Sequence, residues 1–233
     1  MEKINKIFYI NLDRSPERKE HFLNQCIIHN IPSEKIERFI AIDGLTTEFK
    51  KNELSMFRRA NFLLNPEIIL KKIIGNQLSH YYVLKNIIKN KHQYAIICQD
   101  DVKFKPGFVE QIDNILNHFP QNAELISIGL HESAEGSDFV EWNFNNGNDN
   151  DKICKIKIND YVSIWKDELN PCSLAYIVSL EGAKKIVTHF EMFGFRKTTD
   201  YNFIDYLTDK NIFYGSNSVL ATTNTEFESD IFF

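Results

Sequence analysis

Proline and glycine are scarce, six and nine of 233 residues, and nowhere do they gather with serine into a linker. The chain therefore reads as one domain over 1–233, with no internal repeat. Long apolar runs are also missing. None approaches the ~18 residues that a membrane-spanning helix needs, and the short run before Asp13 is too brief for a signal-peptide core. The four cysteines, Cys26, Cys98, Cys154 and Cys172, show neither a CxxC pair nor Cys/His zinc spacing. Free thiols and a cytoplasmic location are the expectation. Positive charge is in deficit: 27 Lys and Arg against 32 Asp and Glu give −5, which argues against a nucleic-acid partner. The short Lys71-Lys72 and Arg58-Arg59 clusters read as solvated helix faces. What remains is 43% hydrophobic and 25% charged, an ordinary globular balance with one core. Nothing in the pattern fixes an oligomeric state.

Strand and helix signals alternate along the chain. The run 6–10, KIFYI, is β-branched and aromatic and stops at Asn11-Leu12-Asp13. Ser15-Pro16-Glu17 opens a helix to about His29, with Ser as cap, Pro in the first turn and an acid behind it. Arg38–Ile42 reads as a second strand, closed by Asp43-Gly44. Asn65-Pro66-Glu67 opens a helical region to about Lys89, in which Gly75 marks a break or a close approach. Tyr94–Cys98 is a central strand, apolar on both faces, that runs into Gln99-Asp100-Asp101. Further expectations are a helix from Pro106-Gly107 to about Phe119, strands over 125–129 and 173–178, and helices over 181–190 and 199–210. This alternation predicts an α/β fold with polar residues at the carboxyl ends of its strands, where open α/β sheets bind ligands.

Two adjacent carboxylates at a strand end repel and resist desolvation unless something compensates. A divalent cation does so, and hard Mn²⁺ or Mg²⁺ prefers oxygen ligands. Strand alternation would put Gln99 and Asp101 on one face and Asp100 on the other. That makes Asp101 the favoured direct ligand, with Asp100 beside it.

Four blocks in order carry a family resemblance: YINLDRSPERKEHF, ERFIAIDG, IGNQLSHYYVLKNI and AIICQDDVKFKPGF. With the later CSLAYIVSLEGAKKIV, TTDYNFIDYL and SDI, they cover nearly the whole chain. Together they resemble glycosyltransferase family 25, the family of lipopolysaccharide and collagen hydroxylysine galactosyltransferases. The resemblance implies a GT-A type fold with a mixed central sheet, a UDP-sugar donor such as UDP-galactose, Mn²⁺ or Mg²⁺, and inversion at the anomeric carbon. It also implies a donor-binding part at about 1–129 and an acceptor side at about 130–233. By analogy Asn11, Asp13 and Arg14, with Asp43 and Gly44, would hold the nucleoside. Arg14 or Arg18 would meet a phosphate. Ser79 and His80, in the block Gly75-Asn76-Gln77-Leu78-Ser79-His80, would serve the donor site. The family's Glu-Asp-Asp is Gln99-Asp100-Asp101 here, one negative charge fewer.

An inverting displacement needs one base for the acceptor hydroxyl. Asp200 fits the family's late acidic position; otherwise it is a first-turn acid behind a Thr198 or Thr199 cap. Asp205 falls within the helix, and Asp230 is a further neighbour for metal or diphosphate. The polar segment from Leu130 to about Asp151, with Phe139, Trp142 and Phe144, is the expected acceptor platform for a glycan or a hydroxylysine. Two other readings stay open at this point: a silent sugar-nucleotide or glycan-binding module, motivated by Gln99, and a phosphoesterase using the same acids.

Overall fold

The structure, a computed structural model, describes residues 1–58, 60, 66–130, 155–165, 173–208, 210 and 212–228. The expected acceptor platform beyond Leu130, together with Arg59, Cys154, Cys172 and Asp230, lies outside the described residues.

The amino-terminal part has the expected strand, helix and strand, with the second strand two residues earlier than the expected Arg38–Ile42. Strand β1 (Lys6–Asn11) leads into α1 (Pro16–Ile28), and β2 (Ile36–Ile40) returns parallel to β1. The short helix α2 (Lys51–Ser55) precedes the long α3 (Glu67–Asn90). Then come β3 (Tyr94–Gln99), β4 (Val102–Phe104), α4 (Phe108–Asn117), β5 (Leu125–Ser127) and β6 (Gly129–Leu130). The remainder is β7 (Lys155–Lys157), β8 (Val162–Trp165), β9 (Ala175–Ser179), α5 (Leu180–Phe193), α6 (Thr199–Thr208), β10 (Tyr214–Ser216) and β11 (Ala221–Thr223). Among the described residues no helix is long and apolar enough to cross a membrane.

Eight strands form one mixed sheet in the order β2-β1-β3-β9-β5-β10-β8-β7, and β4-β11-β6 form a second. The large sheet therefore takes strands from both halves of the chain. Its central strands are buried on both faces, as their continuous apolar runs require. On one face Phe8, Ile10, Ala95, Ile97 and Tyr176 pack under α3 and α5. On the other, Ile7, Tyr9, Ile96, Cys98 and Ile177 meet Phe22 and Cys26 of α1 and Ile112 of α4. The fold is thus α/β, a large mixed sheet flanked by helices.

Gly75 proves to be a close approach rather than a break, since α3 continues through it. A Cβ at Gly75 would lie 2.4 Å from the Ile42 carbonyl oxygen and 2.9 Å from the Gly44 nitrogen. One turn later Ser79 Oγ donates to the Gly75 carbonyl (2.7 Å) and accepts from the Ile42 N–H (2.9 Å). Gly75 and Ser79 therefore form a seat on α3 for the loop after β2. Gly75→Ala should displace that loop and destabilise the protein by about 1–3 kcal/mol, the usual cost of overpacking. Chemical denaturation measures it; an unchanged midpoint would remove the seat from the account.

Candidate functional site

Register brings the candidate residues together. β1 lies parallel to both β2 and β3, with Asn11 opposite Ile40 and Ile10 opposite Gln99. The carboxyl ends of all three strands therefore open on one edge of the sheet, where Asn11, Asp43 and Asp100-Asp101 stand. β9 runs antiparallel to β3, so its amino-terminal end reaches the same edge, and Gln99 N–H donates to the Leu174 carbonyl (2.8 Å).

Asn11 is 1% exposed, and the structure satisfies its whole amide. Its Nδ2 donates to the Ser15 carbonyl (3.0 Å) and to Asp100 Oδ2 (2.7 Å), while its Oδ1 accepts from Arg38 Nε (2.9 Å). Asn11 is the buried hub of the edge, with its amide turned to protein neighbours. Arg38 continues the network to Asp13 (2.8 Å), and Arg14 pairs with Asp43 (2.8 Å). These ion pairs frame the rim at the expected nucleoside position. Arg38 carries no helical or loop signal that sequence reading could have used; only its pairing register places it there.

The two acids depart from the alternation argument. β3 ends at Gln99, and Asp100 and Asp101 form the turn into β4, which belongs to the other sheet. They do not point to opposite faces of one strand. Both instead meet the Arg18 guanidinium, Asp100 Oδ1 at 3.1 Å and Asp101 Oδ2 at 3.6 Å. Arg18, expected to be one of two arginines open to a phosphate, is instead buried against these acids. The expected Ser15 cap also differs: its side chain makes no cap hydrogen bond, and its backbone carbonyl receives Asn11 instead.

A carboxyl-terminal strap covers Arg18. β11 pairs antiparallel with β4, and Asn224 N–H donates to the Asp101 carbonyl (2.6 Å). Beyond it the Phe227 ring lies 5.2 Å from the Arg18 guanidinium carbon, and the Glu228 carbonyl accepts from Arg18. His21, one turn along α1, packs edge-on against Phe227 and donates through Nε2 to the Val102 carbonyl (2.8 Å).

The candidate base is joined to the acidic turn through Ser173. Gln99 Nε2 donates to Ser173 Oγ (3.0 Å), and the Ser173 N–H donates to Asp200 Oδ1 (2.5 Å). Thr199 does not cap the helix here; its hydroxyl donates to Asn76 Oδ1 (2.7 Å). Burial raises the Asp200 carboxyl above its ordinary value, and the Ser173 hydrogen bond offsets part of the shift. Asp205 of α6 is turned to Lys197 (2.8 Å), just before the helix.

Ser79 and His80 are 0% and 1% exposed and line no open surface. His80 Nδ1 shares a hydrogen bond of 2.8 Å with the Tyr176 hydroxyl, and its Nε2 has no hydrogen-bond partner among the described residues. Burial lowers its pKa to about 3 from 6.5, so His80 is neutral in the fold. The unfolded chain takes up a proton below 6.5 that the native state refuses, so stability held above that pH is lost as pH falls toward 3. His80→Asn should flatten the stability slope across this window in denaturation midpoints; an unchanged slope would contradict a buried neutral ring.

A surface groove of about 780 Å³ between the end of α1 and the start of α4, lined by His29, Pro106, Phe108 and Asp113, contains none of the candidate residues. Among the described residues no group of three or more His, Cys, Asp or Glu side chains is placed to hold a metal. Two carboxylates whose remaining ligands come from phosphate and water are nonetheless a usual setting for Mg²⁺-type ions at nucleotides. Asp100 and Asp101 fit a hard cation on those terms.

Residues 4–204 match the family model described as glycosyltransferase family 25 (LPS biosynthesis protein). The chain belongs to glycosyltransferase family 25. Human procollagen galactosyltransferase 2 is 27% identical over 191 residues, covering 78% of this chain and 27% of that protein. A glycosyltransferase 25 family member of Drosophila melanogaster is 30% identical over 194 residues, covering 79% and 28%. This chain thus spans little more than a quarter of either relative. The family match includes the strand-end edge, the Gly75–His80 seat, the acidic turn and Asp200; it stops before the strap at 221–228.

Proposed function

We propose that this family 25 chain is an inverting glycosyltransferase that moves a hexose, galactose first among the candidates, from a UDP-sugar to a hydroxyl acceptor. The acceptor class is a lipopolysaccharide sugar or a collagen hydroxylysine, and the expected setting is cytoplasmic. One observation carries the reading: the family's acidic motif lies at the carboxyl edge of parallel strands, with the Arg14–Asp43 and Arg38–Asp13 pairs on the same edge. Asp101, aided by Asp100, would hold Mn²⁺ or Mg²⁺, which when bound neutralises charge developing on the leaving diphosphate. Asp13, Arg14 and Asp43 frame the nucleoside end, while Asn11 and the Gly75–Ser79 seat hold that frame in place. Asp200 takes the proton from the acceptor hydroxyl.

A second reading, a silent nucleotide-sugar-binding module, draws on Gln99, whose amide is engaged with Ser173 and brings no charge to the acids. The two are separated by UDP release from a panel of UDP-sugars with Mn²⁺, with and without acceptor. Release from one donor, raised by an acceptor, supports the transferase. Binding of UDP without release from any donor supports the silent module and overturns the first reading.

A further inference from the structure

The block Gly75–His80 grips more than the loop after β2. The helical period puts Gly75 and Ser79 on one face of α3, and Asn76, Gln77 and His80 on the adjoining one. That second face holds the start of α6. Asn76 Oδ1 accepts from the Thr199 hydroxyl (2.7 Å), and Gln77 Nε2 donates to the Lys197 carbonyl. The turn held in this way is closed by Asn202, whose Oδ1 accepts from the Arg196 and Lys197 N–H groups (3.0 and 3.2 Å). His80 supplies a third grip. Its ring meets Phe203 edge-on, with centroids 6.4 Å apart, and its partner Tyr176 lies 5.3 Å from the same ring. Asp200 sits between these contacts, one residue after Thr199 and three before Phe203, both of which are buried.

We infer that the block is a two-sided positioning element: one face of α3 sets the donor-side loop at Ile42–Gly44, and the other sets the Asp200 carboxylate relative to it. Asn76 and Thr199 are positioning residues for the base, acting on the acceptor hydroxyl through Asp200. Because a single helix carries both grips, six consecutive residues fix where donor and base stand. A shift of about 1 Å at a reacting group can cost on the order of a hundredfold in rate. The inference rests on the reading of Asp200 as the base, and its test separates the two.

The test is steady-state transfer by the intact chain, with kcat and the donor KM resolved, alongside calorimetric binding of UDP with Mn²⁺. Thr199→Val keeps the shape of the side chain and removes the hydroxyl. Its kcat should fall about ten- to a hundredfold, while UDP affinity stays within about twofold of the parent. Thr199→Ser restores the donor and should recover kcat to within about threefold of the parent, an outcome that depends on the hydroxyl alone. Asn76→Ala, at a partly exposed position, removes the acceptor and should match Thr199→Val. The double variant should be no slower than either single one, since each breaks the same bond. Gly75→Ala, on the other face, should weaken UDP binding more than it lowers kcat. Parent-like kcat in folded Thr199→Val and Asn76→Ala would overturn the inference. So would a Thr199→Ser variant as slow as Thr199→Val, or a loss of UDP affinity that parallels the loss of kcat. Asp200→Asn is measured beside them. If it keeps the parent's kcat, the base reading falls and takes this inference with it; if it is slow while Thr199→Val and Asn76→Ala are not, only the positioning role falls.

Discussion

Asp101→Ala is expected to lower sugar transfer by roughly three orders of magnitude or more, while thermal stability stays near that of the parent. The size follows from the work proposed for a bound cation: several kcal/mol of charge stabilisation on the departing diphosphate, at about tenfold in rate for each 1.36 kcal/mol. Retained folding follows from the contacts. The bond that Asp101 gives the strap is made by its backbone carbonyl to Asn224 N–H, and alanine keeps it. Arg18 keeps its closer partner, Asp100 at 3.1 Å. Initial rates and a melting curve on the same preparation check both halves. Parent-like rates would remove Asp101 from the mechanism, and loss of folding would make the acid structural.

Asp200→Asn should separate activity from stability even more sharply. A general base contributes about 10²–10⁴-fold, so transfer should fall by that factor. Stability should hold or rise. Burial raises the folded pKa of Asp200 above the ordinary 3.8, so ionising it costs the native state more than the unfolded chain. The stability lost to this group therefore appears as pH rises through the folded pKa and persists at neutral pH. Asparagine cannot ionise, and its Oδ1 can still accept the Ser173 N–H. The parent should also show an acid limb in kcat/KM above pH 3.8, absent from the residual activity of the variant. If Asp200 were only a first-turn acid, the substitution would cost little activity and remove a favourable dipole interaction.

Much of the fold was legible because β1 and β3 are long, apolar on both faces and stopped by polar residues. The same pattern located the edge where Asn11 and Asp100-Asp101 stand. The short strands were not legible: β4, β10 and β11 have three residues each, and β4 and β11 exist by pairing with one another across distant sequence. That omission had a consequence at the site. Without β4 in view, the acids read as a continuation of β3, and alternation assigns them to opposite faces. The strap, and with it the burial of Arg18, was hidden for the same reason. The Gly75–His80 block was legible as a motif but not as mechanics. Its glycine and serine seat a loop by backbone proximity, and its histidine packs on Tyr176 and Phe203.

The proposed mechanism needs a nucleotide at the carboxyl ends of β1, β2 and β3, between the Asp13–Arg38 and Arg14–Asp43 pairs and the acidic turn. A crystal structure of the chain with UDP and Mn²⁺ tests it most directly. The nucleoside is expected against Asp13, Arg14 and Asp43, and the diphosphate with its cation at Asp101. A nucleotide bound elsewhere, for example in the groove beside His29 and Pro106, would contradict it.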